Sequence, residues 1–392
     1  MILRKLTQEE HGNTRPLWEE VFADDTKAFL DYYYYIKTRD NEIYTVEEDG
    51  QICSMLQLNP YTLNIVNNSF PGAYIIAVAT REPYRGRGYM GALLRTALND
   101  MYAKKMPFTF LMPAAEAIYT PYDFRFIYTQ NIGRITLEDE ADADVRQNDD
   151  CTFTDAALWD AEEMASFVNG HFAVQWQVYA ERDAAYYQTM IMEQMSERGG
   201  VRLIRENGSL KGMYAYAAEG RLEIREPLYL PGYEAAYRRS VRELLKSQTH
   251  KSAVDSSRDF CEAVVYACGE KDAVEKKPVI MARIIRLEEL LKAMIVPSGT
   301  AMRCSFAVID PLIHGNSRVW QISSAEDEQV IHVRETEDSE GVIPISALTE
   351  FLFGQTDVHE LSNREDVILS EHLTEELDKI TRLSDVFLNE IV

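Results

Sequence analysis

The sequence holds five cysteines, Cys53, Cys151, Cys261, Cys268 and Cys304, an odd number with no C-x-x-C pair. That argues against a disulfide framework and fits a reducing, cytoplasmic setting. Its seven histidines form no H-x-x-x-H pair and no cluster with cysteine, so no metal site is expected. No apolar run reaches the ~18 residues of a membrane span. The N-terminus, MILRKLTQEEHGN, has neither an apolar h-region nor a cleavage site, so it does not read as a secretory signal. Positive charge is scarce: 40 Lys and Arg stand against 64 Asp and Glu, a net charge of −24. Such a surface repels phosphate backbones and anionic headgroups, so neither nucleic acid nor a membrane is an expected partner. It attracts cationic small molecules, although the same acidity also serves solubility.

What is present is enough for real cores. The chain has 392 residues, 46% hydrophobic and 27% charged, which suits two or three ordered domains and excludes a disordered chain. Composition breaks it into three segments. The first, 1–150, closes in the stretch 138–150, with seven acids against one arginine, which reads as a solvated connector. The second, 151–283, ends after the polar run 269–277. The third is 284–392. No short-period repeat is visible.

Helical and strand-like patterns alternate throughout, a mixed α/β (α+β) plan. In the first segment, Leu17, Val21 and Phe22, then Phe29, Tyr32 and Tyr33, have helical spacing. Residues 45–58 and 61–66 read as strands between turns at Asp49-Gly50 and Asn59-Pro60. The second segment repeats this order in outline: helical patterns at 156–170 and 181–197, strand-like runs at 201–206, 210–218 and 221–230, and a helix at 233–246. The third opens on an amphipathic helix with Leu287, Leu290, Leu291 and Met294. It ends in an apolar tail, Phe387-Leu-Asn-Glu-Ile-Val392, unusual for a free terminus.

The most informative stretch is 74–95, YIIAVATREPYRGRGYMGALLR. A continuous apolar run reads as a central buried strand. A glycine-rich turn follows, then a helix whose face is Met90, Leu93, Leu94, Ala97, Leu98 and Met101. Glycines let backbone approach a ligand, and a helix N-terminus presents unpaired N–H groups to an anion. Arg81, Arg85 and Arg87 gather positive charge in an otherwise acidic chain, which is chemistry for a pyrophosphate. Gly86-x-Gly88-x-x-Gly91 also satisfies the dinucleotide pattern. However, a polar TREPYR stretch separates it from the strand, and the next strand ends Leu111-Met-Pro113 instead of on an acid. No Lys-Ser or Lys-Thr follows, so a P-loop is excluded as well.

The loop resembles the acetyl-CoA loop of the GNAT superfamily, R-x-x-G-x-G/A, with Arg85 and Gly88 on its fixed positions and Gly91 one place beyond the last. The resemblance implies that Ala77, Val78 and Ala79 hold the pantetheine arm through backbone groups. It also implies that Arg85, Gly86, Arg87, Gly88, Tyr89, Met90 and Gly91 hold the pyrophosphate. Further on, residues 111–124, LMPAAEAIYTPYDF, resemble the family's F-Y-x-x-x-G-F segment. Tyr119 then matches the tyrosine that protonates the leaving thiolate, and Asp123 replaces the usual glycine.

The whole chain resembles the Eis family of acetyltransferases, which joins two GNAT domains to a sterol-carrier-protein-like third domain. The resemblance implies a catalytic GNAT domain at 1–150, a second GNAT-like domain at 151–283 and a sterol-carrier-protein-like α+β domain at 284–392. In the second, the loop position reads Glu226-Pro-Leu-Tyr-Leu-Pro-Gly232-Tyr-Glu, without arginine, so that domain is expected to hold no pyrophosphate. The expected activity is acetyl-CoA-dependent N-acetyl transfer to a cationic primary amine, by direct transfer in a ternary complex and without a metal. The alternative is a CoA- or lipid-binding protein on a retained GNAT scaffold. Trp18, Asp24 and Asp25 are expected beside the acceptor, with Tyr32–Tyr35 as an aromatic wall. The family's C-terminal carboxylate enters the active site, which makes Val392 the expected base, with Glu116 or water as alternatives. The resemblance further implies a homo-oligomer, with a hexamer expected.

Overall fold

In the computed structural model, residues 1–137, 150–252 and 261–390 are described. The connector at 138–149 and the final two residues, including Val392, lie outside them.

The first strands are β1 (Ile2–Lys5), β2 (Glu42–Glu48), β3 (Gln51–Ile65), β4 (Asn68–Thr80), β5 (Phe108–Leu111) and β6 (Arg125–Thr136). Helices α1 (Arg15–Val21) and α2 (Lys27–Tyr35) precede β2, α3 (Tyr89–Ala103) joins β4 to β5, and the single turn α4 (Glu116–Tyr119) joins β5 to β6. The next segment repeats the order: β7 (Cys151–Asp155), α5 (Ala161–His171), β8 (Val178–Ala180), α6 (Ala184–Ser196), β9 (Gly200–Glu206), β10 (Ser209–Ala217), β11 (Leu222–Tyr229), α7 (Glu234–Ser252), β12 (Glu262–Tyr266) and β13 (Glu275–Ile284). All these strands form one sheet, in the order β1-β2-β3-β4-β5-β13-β6-β12-β11-β10-β9-β7, with β8 on a branch from β3.

The position of β13 is not readable from local pattern. Although almost all of it falls within 151–283, it runs antiparallel between β5 and β6, pairing Met281 with Leu111 and with Phe126. Strand β6 in turn pairs with β12, so the two GNAT-like sheets are continuous.

The third segment begins with α8 (Leu287–Ala293). It carries its own sheet, in the order β16 (His332–Glu335), β15 (Val319–Ser324), β14 (Met302–Ile309), β17 (Gly341–Pro344) and β18 (Ile368–Leu369), and the helix α9 (Ile345–Leu352). Its apolar face is buried on the first sheet: Phe353 meets Phe108 edge-on at 5.1 Å. Leu373, Leu377 and Ile380, spaced as one helical face, are all in this core.

The chain then returns. A short strand, β19 (Val386–Phe387), pairs parallel with β8, and Phe387 stacks on Trp176 at 4.1 Å. Leu388 and Glu390 are buried. The apolar tail is therefore docked, as its composition suggested, with β8 as its seat.

Candidate active site

The site begins with a fault in the sheet. Along β3 and β4, Met55 faces Ala79 but Gln57 faces Ile76, so β4 carries an extra residue. Ala77 takes it up at φ +51. A β-bulge of this kind bends its strand away from a neighbour. Parallel to β4, β5 meets it at one pair, Tyr74 with Phe110. Beyond that pair the two strands splay into a wedge, with backbone groups of Ile76 to Ala79 along one side. These groups need partners, and an extended amide-bearing ligand supplies them. Ala77 and Ala79 sit in a core with Trp18, Phe29 and Tyr33, whereas Val78 faces α3.

At the open end of the wedge lies the glycine loop. Gly86 and Gly88 have φ of +75 and +81, the left-handed region that only glycine enters freely, and a Cβ on either would meet nothing within 4 Å. The cradle is open on the ligand side. Gly88 caps α3, whose first internal bond is Ala92 N–H to Gly88 O, leaving the N–H groups of Tyr89, Met90 and Gly91 at the helix start. Arg85 and Arg87 are exposed beside it. Arg85 is held by a bond to Thr80 O at 3.1 Å, and Arg87 lies over the Tyr84 ring at 4.8 Å. Arg81 is already paired with Glu20. Tyr89 donates to Glu48.

Gly91 has a different physical role from the other two. Its φ is ordinary, but a Cβ there would lie 2.7 Å from the Tyr122 hydroxyl. The missing side chain lets α3 approach the turn that carries the second motif.

That turn brings Tyr119 into the core shared by α3, β4 and β5, with Phe124 edge-on at 5.8 Å. Burial pushes the Tyr119 phenol up to about 12, so it keeps its proton at any ordinary pH. Its hydroxyl makes no hydrogen bond among the described residues, which leaves it free for a ligand. Asp123 takes the glycine position at φ +64, a conformation that short polar side chains tolerate. Arg283 of β13 secures it: its fully buried guanidinium donates to Tyr122 O at 2.9 Å and to Asp310 of the third domain at 2.5 Å. Nothing in the local sequence marks this clamp.

Across the sheet from α3 is a cavity of about 500 Å³, lined by the 36–41 turn, β3, β6, α6, β11, β13 and the docked tail. Its walls carry seven carboxylates, among them Asp40, Glu193, Glu226 and Glu390, against four basic groups, Lys37, Arg39, Arg225 and Lys277. Met112, just past β5, and Tyr61, whose ring is 6.2 Å from Phe110, bring the cavity to the closed end of the wedge. Behind the wall, fully buried Arg182 joins Glu226 at 3.2 Å and Glu390 at 3.3 Å. Tyr186 donates to the same Glu390 oxygen at 3.1 Å. Glu193 is buried, accepts from Tyr32 at 3.0 Å and has its carboxyl pushed up by burial.

The residues expected around the acceptor are placed unevenly. Trp18 is buried beneath β4 and donates to Asp25 at 2.6 Å, while Asp24 is exposed on the same turn. None of the three lines the cavity. Of the tyrosine run, Tyr32 touches Glu193, and Tyr33 bonds Gln57 and Asn59 beneath the bulge. Glu116 is exposed.

The second segment repeats the bulge. Met213 faces Leu228 but Ala215 faces Arg225, and Glu226 between them stands at φ +51, as Ala77 does. Here the bulge carries a carboxylate, and Arg182 occupies it.

Residues 3–127 match the family described as an acetyltransferase (GNAT) domain, and residues 287–389 match the sterol carrier protein domain. The chain thus carries a GNAT acetyltransferase domain at its start and a sterol carrier protein domain at its end. In fold it is Eis-like, with its sterol-carrier-protein domain at the far end. It resembles a solved protein of Enterococcus faecalis V583, a probable N-acyltransferase, at 20% identity and TM-score 0.81, over 100% of this chain and 99% of that one. A GCN5-related N-acetyltransferase of Anabaena variabilis matches at 16% identity and TM-score 0.76, over 99% of both chains. Eis1 of Mycobacterium abscessus matches at 14% identity and TM-score 0.71, over 100% of both. At such identities the likeness is one of fold. No curated protein matches the chain. The GNAT fold implies acetyl-CoA as co-substrate.

Proposed function

We propose that the chain transfers the acetyl group of acetyl-CoA directly to a cationic primary amine held in the same complex. The observation that carries this reading is the wedge between β4 and β5. The Gly86–Gly91 loop lies at its open end, the buried Tyr119 phenol is in the core beside it, and the acid-walled cavity reaches its closed end through Tyr61 and Met112.

In this reading Gly86, Gly88 and the first N–H groups of α3 take the pyrophosphate, with Arg85 and Arg87 supplying charge. The backbone of Ala77 to Ala79 aligns the pantetheine arm. The amine enters from the cavity, so both substrates are bound at once and no acyl-enzyme is needed. Tyr119 donates its proton to the departing thiolate. The Val392 carboxylate, next after the docked tail, accepts the proton of the amine. Seven acids against four bases favour a cation in the cavity. A homo-oligomer, a hexamer by resemblance, and a cytoplasmic setting belong to the same reading.

The test is release of free CoA thiol from acetyl-CoA with a panel of polyamines, aminoglycosides, peptide N-termini and lysine derivatives. Thiol release that depends on a cationic amine, with KM rising with salt, supports the reading. Binding of acetyl-CoA without turnover on any amine would replace it with a CoA-binding protein on a GNAT scaffold.

A further inference from the structure

Lys37 lies in the turn after α2 and lines the cavity. It has no carboxylate within ion-pair distance among the described residues. Its one hydrogen bond is to the Tyr61 hydroxyl, at 3.0 Å, and its nitrogen lies 4.8 Å from the centre of that ring. Lys37 is half-buried, and its nitrogen meets a phenol in place of a carboxylate, so the cost of desolvating an ammonium is not offset by a direct ion pair. The relief available to it is to lose the proton.

A chain of contacts ties it to the wedge. Lys37 Nζ touches Tyr61, the Tyr61 ring is 6.2 Å from Phe110, and Phe110 pairs with Tyr74, the pair at which β4 and β5 close. A cofactor anchored by its pyrophosphate at the glycine loop runs down the wedge toward that pair, thioester end first. The lysine amine is therefore on the acceptor side of the thioester.

We propose that Lys37 is itself an acyl acceptor, modified by the chain's own acetyl-CoA when no amine occupies the cavity. The inference rests on the acetyl-CoA reading above. The neutral ε-amine adds to the thioester carbonyl, an N–C bond forms, the C–S bond breaks, and CoA leaves as its thiol. The proton shed by nitrogen balances the one taken by sulfur, so nothing beyond acetyl-CoA is consumed. The groups that face Lys37 agree with a neutral amine: burial lowers its affinity for a proton, opposed by Glu193 from α6, Glu390 from the tail and Asp40 from its own turn. Acetylation would remove a basic group for good and leave the acids of the cavity in larger excess over the bases.

The experiment is incubation of the full chain with acetyl-CoA alone, followed by intact mass measurement and peptide mapping. Expected is a single acetyl group, on Lys37, formed ahead of every surface lysine and at least about tenfold slower in Tyr119→Phe, which lacks the general acid. The increment should vanish in Lys37→Arg and be suppressed by any amine the enzyme accepts. Its rate should rise with pH and level off below the ~10.4 of an ordinary lysine. Amine-dependent thiol release with Lys37 unmodified would overturn this inference and leave the acetyltransferase reading intact. Equal modification of Lys37 in wild type and Tyr119→Phe would also overturn it, as chemical acetylation. Failure to bind acetyl-CoA at all would remove both readings together.

Discussion

The guanidinium of Arg182 lies 3.3 Å from the carboxylate of Glu390, a residue 208 positions further along the chain, and both are buried. Glu226 shares the same guanidinium at 3.2 Å, and the rings of Tyr186 and Phe387 cover it at 4.7 and 5.2 Å. One cation, between β8 and α6, thus holds the end of the chain against the cavity.

Arg182→Met leaves two buried carboxylates facing each other without their cation. Breaking such a pair costs about 3–5 kcal/mol, so the midpoint of chemical denaturation should fall accordingly. The loss should be felt first where the tail docks. Amide exchange at 385–390 should rise ahead of the rest of the protein. Uniform exchange with no early opening of the tail would show that Arg182 is not its anchor.

Gly88→Glu places a bulky anion where the loop presents N–H groups. Since a Cβ at Gly88 meets nothing within 4 Å, the cost to the fold is backbone strain at positive φ, about 1–3 kcal/mol. The cost to binding is bulk and like charge. Calorimetry should give one acetyl-CoA per chain for the wild type and none for the variant. A second site per chain would contradict the reading of Glu226 as the carboxylate that closes the other bulge.

Tyr119→Phe removes a hydroxyl with no partner among the described residues, so stability should change little. Turnover should fall at least tenfold, since general acid–base steps typically contribute ~10²–10⁴, while acetyl-CoA affinity holds. With the phenol pushed up to about 12, the wild-type pH profile should show no loss from this group until near that value. A descending limb at neutral pH would belong to a different residue.

The parts of this site written in one run of sequence were legible. The apolar strand, the glycine turn and the helix at 74–103 stand where the sequence placed them, because each is a local requirement of its own element. The cavity was not legible. Lys37, Tyr61, Glu193 and Glu390 come from a turn, a strand, a helix and the tail, and each alone looks like an ordinary surface or core residue. Trp18, expected beside the acceptor, is instead buried under the bulge, because an indole next to an apolar strand is a packing group first. Gly91 shows the reverse limit: it fits a phosphate pattern in sequence, but the space it leaves goes to Tyr122. Asp123 departed from the glycine pattern without loss, since Arg283 and Asp310, far away in sequence, secure the same turn.

The placement of β13 between β5 and β6 has a consequence for biosynthesis. When residue 136 leaves the ribosome, the first sheet still lacks the strand that fills its middle, and the strand arrives only with residues 275–284. At about 5–20 residues per second, the nascent chain waits roughly seven to thirty seconds with two unpaired strand edges. Such edges recruit other chains. The N-terminal acetyltransferase domain, first to be translated, is thus among the last to close, and the second domain is made while the first waits for it.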